Sequence, residues 1–211
     1  MSRRQGAIAL VAGGVVWLAV VAVGLAAIMD YDNRPGAAAH APVHWPPDSR
    51  IVPAADGPTL VMLAHPRCDC TRASVGELAE LLARVRIRPR VIVVFIKPGR
   101  VGPEWEKSAL WQMAAEIPGV TVVRDDQGLE ARRFGVETSG QTLLYGADGG
   151  LLFAGGATGA RGKAGNNVGR STLVSLLNGE RPATASTPVF GCPLFGPADA
   201  AEPDGDHIHG S

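Results

Sequence analysis

From Ala7 to Ile28 the chain carries no charged side chain; the run is mostly Ala, Val, Leu, Ile and Gly, with Trp17 among them. Roughly 22 residues at ~1.5 Å rise make a helix of about 33 Å, enough to cross a hydrocarbon layer of ~30 Å. Arg3 and Arg4 precede the run, and Asp30 and Asp32 follow it. Positive charge on the N-terminal side predicts an N-terminus in the cytoplasm. The expectation is a single-pass anchor in the inner (cytoplasmic) membrane, with the C-terminal domain facing the periplasm or exterior. The other reading is a cleaved signal peptide, with Ala37-Ala38-Ala39 as its small-residue site. The run is longer than the ~7–15 residues of a signal core, which favours the anchor. Either way the remainder meets an oxidising compartment, where disulfides persist.

Two further stretches lack any period. Pro35 to Pro58 holds six prolines with alanines between them and reads as an extended tether. Arg181 to Ser211 holds five more prolines and ends in an acidic tail bearing His207 and His209. Gly 27 and Pro 16 in 211 residues fit such irregular stretches beside a compact core. The expected organisation is an anchor over residues 1–29, a Pro/Ala-rich linker over 30–56, a folded domain over 57–179 and an irregular tail over 180–211. Lys+Arg 20 balances Asp+Glu 20, so no basic face is available and nucleic acid is not an expected partner.

Within 57–179, strand-like and helix-like runs alternate. Thr59–Ala64 is a short apolar strand candidate, and in Thr71–Val85 the residues Val75, Leu78, Leu82 and Val85 recur at helical spacing. Arg90–Ile96, apolar on both faces, has the pattern of a central parallel strand. Glu104–Ile117 reads as a helix, Val120–Val123 as a strand and Leu129–Phe134 as a short helix. Thr142–Tyr145 and Leu151–Ala154 flank Ala147-Asp148-Gly149-Gly150, a hairpin signal. Asn167 is placed to cap a last helix that Gly179 stops. The order β-α-β-α-β-α-β-β-α is that of a mixed α/β sheet of thioredoxin-like type with one additional βα unit.

Three cysteines cannot all pair within one chain. Two of them lie in His65-Pro66-Arg67-Cys68-Asp69-Cys70-Thr71-Arg72, between the first strand and the first helix. A helix N-terminus presents unpaired N–H groups and partial positive charge, which favour a thiolate, the nucleophilic form. Arg67, Arg72 and a protonated His65 would add to that charge, while Asp69 opposes it.

The apolar strand, the Cys pair and the helix resemble the redox centre of membrane-anchored thioredoxin-like proteins of the redoxin group. The HPRCDCTRAS stretch, with Cys-x-Cys in place of Cys-x-x-Cys, resembles the RedB-like branch. Arg124 to Gly128, Phe134-Gly135-Val136, Leu143-Leu144-Tyr145 and Asp148-Gly149 resemble the second half of redoxin domains. The resemblance covers about residues 57–179. It implies a periplasmic thiol–disulfide oxidoreductase acting through Cys68 and Cys70 without a cofactor, on periplasmic proteins bearing thiols or disulfides. Where that family carries a cis-proline facing the cysteines, this chain has Gly140. A disulfide between Cys68 and Cys70 would close a small, strained ring, easily reduced. Cys68, nearer the loop, is the favoured attacker. Cys192, in Phe190-Gly191-Cys192-Pro193-Leu194, is either a resolving thiol that folds back or a spare cysteine in a tail.

The alternative function is copper(I) binding or delivery, with Cys68, Cys70, Cys192 and His65 as a soft ligand set. His207 and His209 could add a loose metal contact, though a solvated tail is the simpler reading. The Gly155–Gly165 stretch holds Arg161 and Lys163 and lacks the Gly-Lys-Ser/Thr ending of a phosphate loop. It is either a mobile surface loop or an approach of Arg161 or Lys163 to the cysteines. Trp45, Trp105 and Trp111 read as packing residues.

Overall fold

The structure, a computed structural model, describes residues 3–196. The chain divides into two compact units that meet at Arg34 and Pro35. The first contains α1 (Arg3–Asn33), whose uncharged run exposes large apolar side chains such as Val15, Trp17, Leu18 and Val20. It is long and apolar enough to cross a membrane, as an anchor or as a signal sequence.

The second unit is a thioredoxin-like domain. Its strands are β1 (Thr59–Ala64), β2 (Arg90–Lys97), β3 (Val120–Asp126), β4 (Gln141–Tyr145) and β5 (Leu151–Gly156), in the sheet order β3-β2-β1-β4-β5. β1 runs parallel to β2, with Thr59 opposite Arg90 and Ala64 opposite Phe95, and β2 runs parallel to β3. β4 turns antiparallel to β1, and β5 antiparallel to β4. Alternation along the strands splits the core into two layers. Leu60, Met62, Val93 and Phe95 face α2 (Asp69–Leu82), α3 (Ala109–Ala115) and α5 (Val168–Leu177). Val61, Leu63, Ile92 and Val94 face the other way, toward Phe134, Val136 and the short α4 (Leu129–Arg133).

The expected elements are present, with shifted ends. α2 begins at Asp69, so Cys70 is helical and Cys68 is its N-cap residue. α3 starts at Ala109 rather than Glu104, because the Ser108 hydroxyl accepts from the Trp111 amide and fixes the first turn there. Glu104 itself lies at positive φ.

The segments flanking 57–179 lie against the domain. Between residues 35 and 58 the His40 amide donates to Gly135 O (2.8 Å) and the Leu151 amide to Val43 O (2.9 Å). The Trp45 ring meets Phe134 and Tyr145 edge-on, at 5.1 and 5.2 Å. Beyond α5, the chain follows the outer edge of β5: Ala154 N donates to Ala185 O (3.1 Å) and Gly156 N to Pro188 O (3.2 Å). That covers an edge that would otherwise expose its backbone groups. A Cβ on Gly155 or Gly156 would run into Thr187 or Pro188, which is why this stretch is glycine. Proline-rich composition removed helical and strand periods from both segments without removing their capacity to pack. His207 and His209 lie outside the described residues.

Candidate functional site

The β1–α2 junction presents Cys68 at the N-cap and Cys70 one residue into the helix. Opposite it, the 137–142 stretch enters β4 through Gly140, at φ +87, whose amide donates to Leu63 O at 2.7 Å. Among the described residues no peptide bond is cis, so glycine in the left-handed region makes this turn. A Cβ at Gly140 would also press on Ser74 Oγ. Ser139 ties the two sides together. Its hydroxyl accepts from the His65 amide (2.7 Å) and lies 2.6 Å from Thr71 Oγ1.

Cys192 has folded back onto this junction. Its Sγ lies 2.9 Å from Cys68 Sγ, and the Sγ atoms of Cys68, Cys70 and Cys192 all lie within 4.8 Å of one another. The three thiols are free. Cys68 is buried, whereas Cys70 and Cys192 are half-buried, so the thiol nearest the loop in sequence is the least exposed in space.

The electrostatics separate the three. Burial pushes the Cys68 thiol up, but hydrogen bonds from the Cys192 thiol and from Thr71 outweigh it, and its pKa falls below that of an ordinary thiol. Burial and then the neighbouring Cys68 charge hold Cys70 above the ordinary value, against an opposing pull from Arg161. Cys192 is pushed up to about 12 by burial, by the hydrogen bond it gives Cys68 and by the charge on Cys68 and Cys70. The site therefore holds one acidic thiol, Cys68, and one proton-bearing neighbour in contact with it.

The cations named from sequence are arranged differently from expectation. Burial and then Arg67 lower the His65 pKa, which disfavours the protonated imidazole that would have added charge. The His65 ring packs edge-on against Trp105 at 5.4 Å, and Arg67 lies over the same ring at 4.8 Å. Trp105 thus packs at the rim of the site. Arg72 is exposed on α2. The cation that acts on Cys70 and Cys192 is Arg161, which also donates to Gly191 O. Thr71 lies in the junction stretch itself, but no spacing rule finds Ser139, since only the sheet brings it to the helix cap.

The chain matches no family model and no curated protein sequence. Among solved structures it is similar to an uncharacterized conserved protein from Geobacillus kaustophilus, at 18% identity, TM-score 0.55, covering 78% of this chain and 94% of that one. A hypothetical protein from Sinorhizobium meliloti 1021 is also similar, at 18% identity, TM-score 0.51, covering 77% and 96%. A secreted Mycobacterium tuberculosis disulfide oxidoreductase superposes more loosely, at 13% identity, TM-score 0.40, covering 58% and 81%. For the first two, at 18% identity, the likeness is one of fold.

Proposed function

We propose that the chain is a membrane-anchored thiol–disulfide oxidoreductase of thioredoxin-like type, of the RedB-like kind its Cys-x-Cys stretch resembles. Arg3 and Arg4, at the N-terminal end of α1 ahead of its uncharged run, support an orientation with the domain on the periplasmic side. The observation that carries this reading is an acidic thiol, Cys68, at the N-cap of α2 in contact with a second thiol, Cys192. Cys68 attacks a client disulfide; the client's S–S bond breaks, and its leaving sulfur departs as a thiolate that takes up a proton. Cys192 then gives up its proton and attacks Cys68 Sγ, which releases the client's second thiol and leaves a Cys68–Cys192 disulfide. The reverse sequence oxidises a client dithiol. Cys70 stands beside this pair as a third thiol able to exchange with it.

The test is trapping on non-reducing gels. Cys192→Ser should accumulate mixed disulfides between Cys68 and periplasmic proteins, and Cys68→Ser should accumulate none. Trapping by Cys70→Ser but not by Cys192→Ser would instead assign resolution to Cys70.

A second reading has its own support in the three thiol sulfurs within 4.8 Å of one another, a soft set suited to copper(I). His65 does not join that group among the described residues. Protein purified without reductant decides between the two. A metal-free chain with one disulfide supports exchange chemistry; stoichiometric copper with three reduced thiols supports copper handling.

A further inference from the structure

The segment that delivers Cys192 reaches the site through one isolated antiparallel bridge and the two backbone hydrogen bonds that flank it. Ser139 N donates to Cys192 O at 2.9 Å, Leu194 N donates to Glu137 O at 2.7 Å, and Thr138 pairs with Pro193 as an antiparallel bridge. Its approach is close at one point. A Cβ on Gly191 would fall far inside contact distance of the Ser139 carbonyl oxygen. Arg161 also donates to the Gly191 carbonyl. The segment therefore occupies the backbone edge beside Cys68 with a Gly-Cys pair whose sulfur touches the Cys68 sulfur. That is the placement an extended peptide needs to exchange a disulfide with Cys68: main-chain pairing fixes the register, and the sulfur follows.

We propose that residues 191–194 are an internal client, holding the place of an extended client peptide with a glycine before its cysteine, and that the segment must lift for such a client to dock along 137–139. The proposal rests on Cys68 being the attacking thiol. In the first step the Cys68 thiolate attacks the client sulfur, the client's S–S bond breaks, and the leaving sulfur departs as a thiolate. The client then fills the backbone positions vacated by Gly191 and Cys192. When the segment returns, the Cys192 thiolate attacks Cys68 Sγ and the client's thiol is expelled. One backbone position thus serves both to screen the buried thiol and to deliver the resolving one.

The test uses the full-length chain in detergent with Cys68 as its sole thiol (Cys70→Ser with Cys192→Ser). The probe is a synthetic peptide copying residues 187–195, its cysteine activated as a thionitrobenzoate disulfide; coupling releases coloured thionitrobenzoate. Adding Gly191→Ala unseats the segment. Two lost backbone hydrogen bonds should raise the coupling rate roughly tenfold to a hundredfold. Equal rates with and without Gly191→Ala would overturn the internal client. Absence of coupling in both chains would instead overturn Cys68 as the attacker. A second measurement leaves Gly191 intact, in case the alanine variant fails to fold. In the chain whose sole thiol is Cys68, once that thiol carries the peptide, the Leu194 amide should lose its protection from hydrogen exchange while the Ser139 amide keeps its own. Retained protection at Leu194 would show that the segment stays seated and would sink the proposal.

Discussion

Cys68 is at once the most acidic and the most buried of the three thiols. Burial alone would raise its pKa, so its acidity depends on groups that donate to the thiolate, and the first of these is the Cys192 thiol. Replacing that donor with Cys192→Ala should move the midpoint of the pH profile for Cys68 alkylation upward, toward the ordinary thiol value. In the parent chain the rate should begin to rise below that value, because the reactive thiolate is populated earlier. An unmoved midpoint would mean that Cys192 does not set the Cys68 charge. Sequence position was enough to place Cys68 and Cys70 at a strand-to-helix junction, because strand and helix periods flank them. It was not enough to choose between a resolving and a spare Cys192, since nothing periodic surrounds residue 192. Arg161 was one of two basic side chains that the glycine-rich stretch offered; the fold selected it by carrying that stretch to Gly191.

At the scale of elements, α2 and α5 are joined by charge as well as by apolar packing. Glu77, 2% exposed, pairs with Arg170, 5% exposed, and also accepts from Gly165 N (2.6 Å) and Asn167 Nδ2 (3.1 Å). Glu77→Ala leaves the guanidinium buried without its counter-charge, and breaking such a pair costs about 3–5 kcal/mol. Urea denaturation should show a loss of that size; a loss below ~1 kcal/mol would mean the pair is effectively solvated. The double variant Glu77→Leu with Arg170→Met should lose less than the single one, since no lone charge remains. The helices and strands of the domain were readable from local pattern: Val75, Leu78 and Leu82 at helical spacing on α2, and an unbroken apolar run on β2. The segments before β1 and after α5 were not. They bind through single amides and isolated side chains such as Trp45, Ile51, Val189 and Leu194, which leave no period to read. Trp45→Ala should therefore cost stability although it lies in an apparent tether. About 2 kcal/mol is expected, below the ~3–5 of a fully buried aromatic, because the ring is half-exposed.

For the whole molecule, the question is how α1 serves the domain. The two units meet at Arg34 and Pro35, and the first residues of the second unit run directly to the site. Gly36 N donates to Val189 O at 2.8 Å, and Thr138 Oγ1 donates to Ala37 O at 2.8 Å. Those bonds brace both sides of the bridge that carries Cys192. Cleavage after Ala39, where a signal peptide would end, removes both of them. A retained anchor keeps them. A reporter that is active only after export, fused after Arg34, should be active, and a reporter confined to the cytoplasm should be silent at the same junction. The chain should stay in the membrane fraction with its N-terminal residues intact. Recovery of a soluble chain beginning near His40 would overturn the anchor, and a silent exported reporter would overturn the orientation. The two outcomes also differ at the thiols. A protein cut experimentally after Ala39 should alkylate faster at Cys68 than the intact chain, because a segment deprived of two hydrogen bonds covers that sulfur less of the time. Equal rates would mean that residues 36–39 support the fold without bearing on the site.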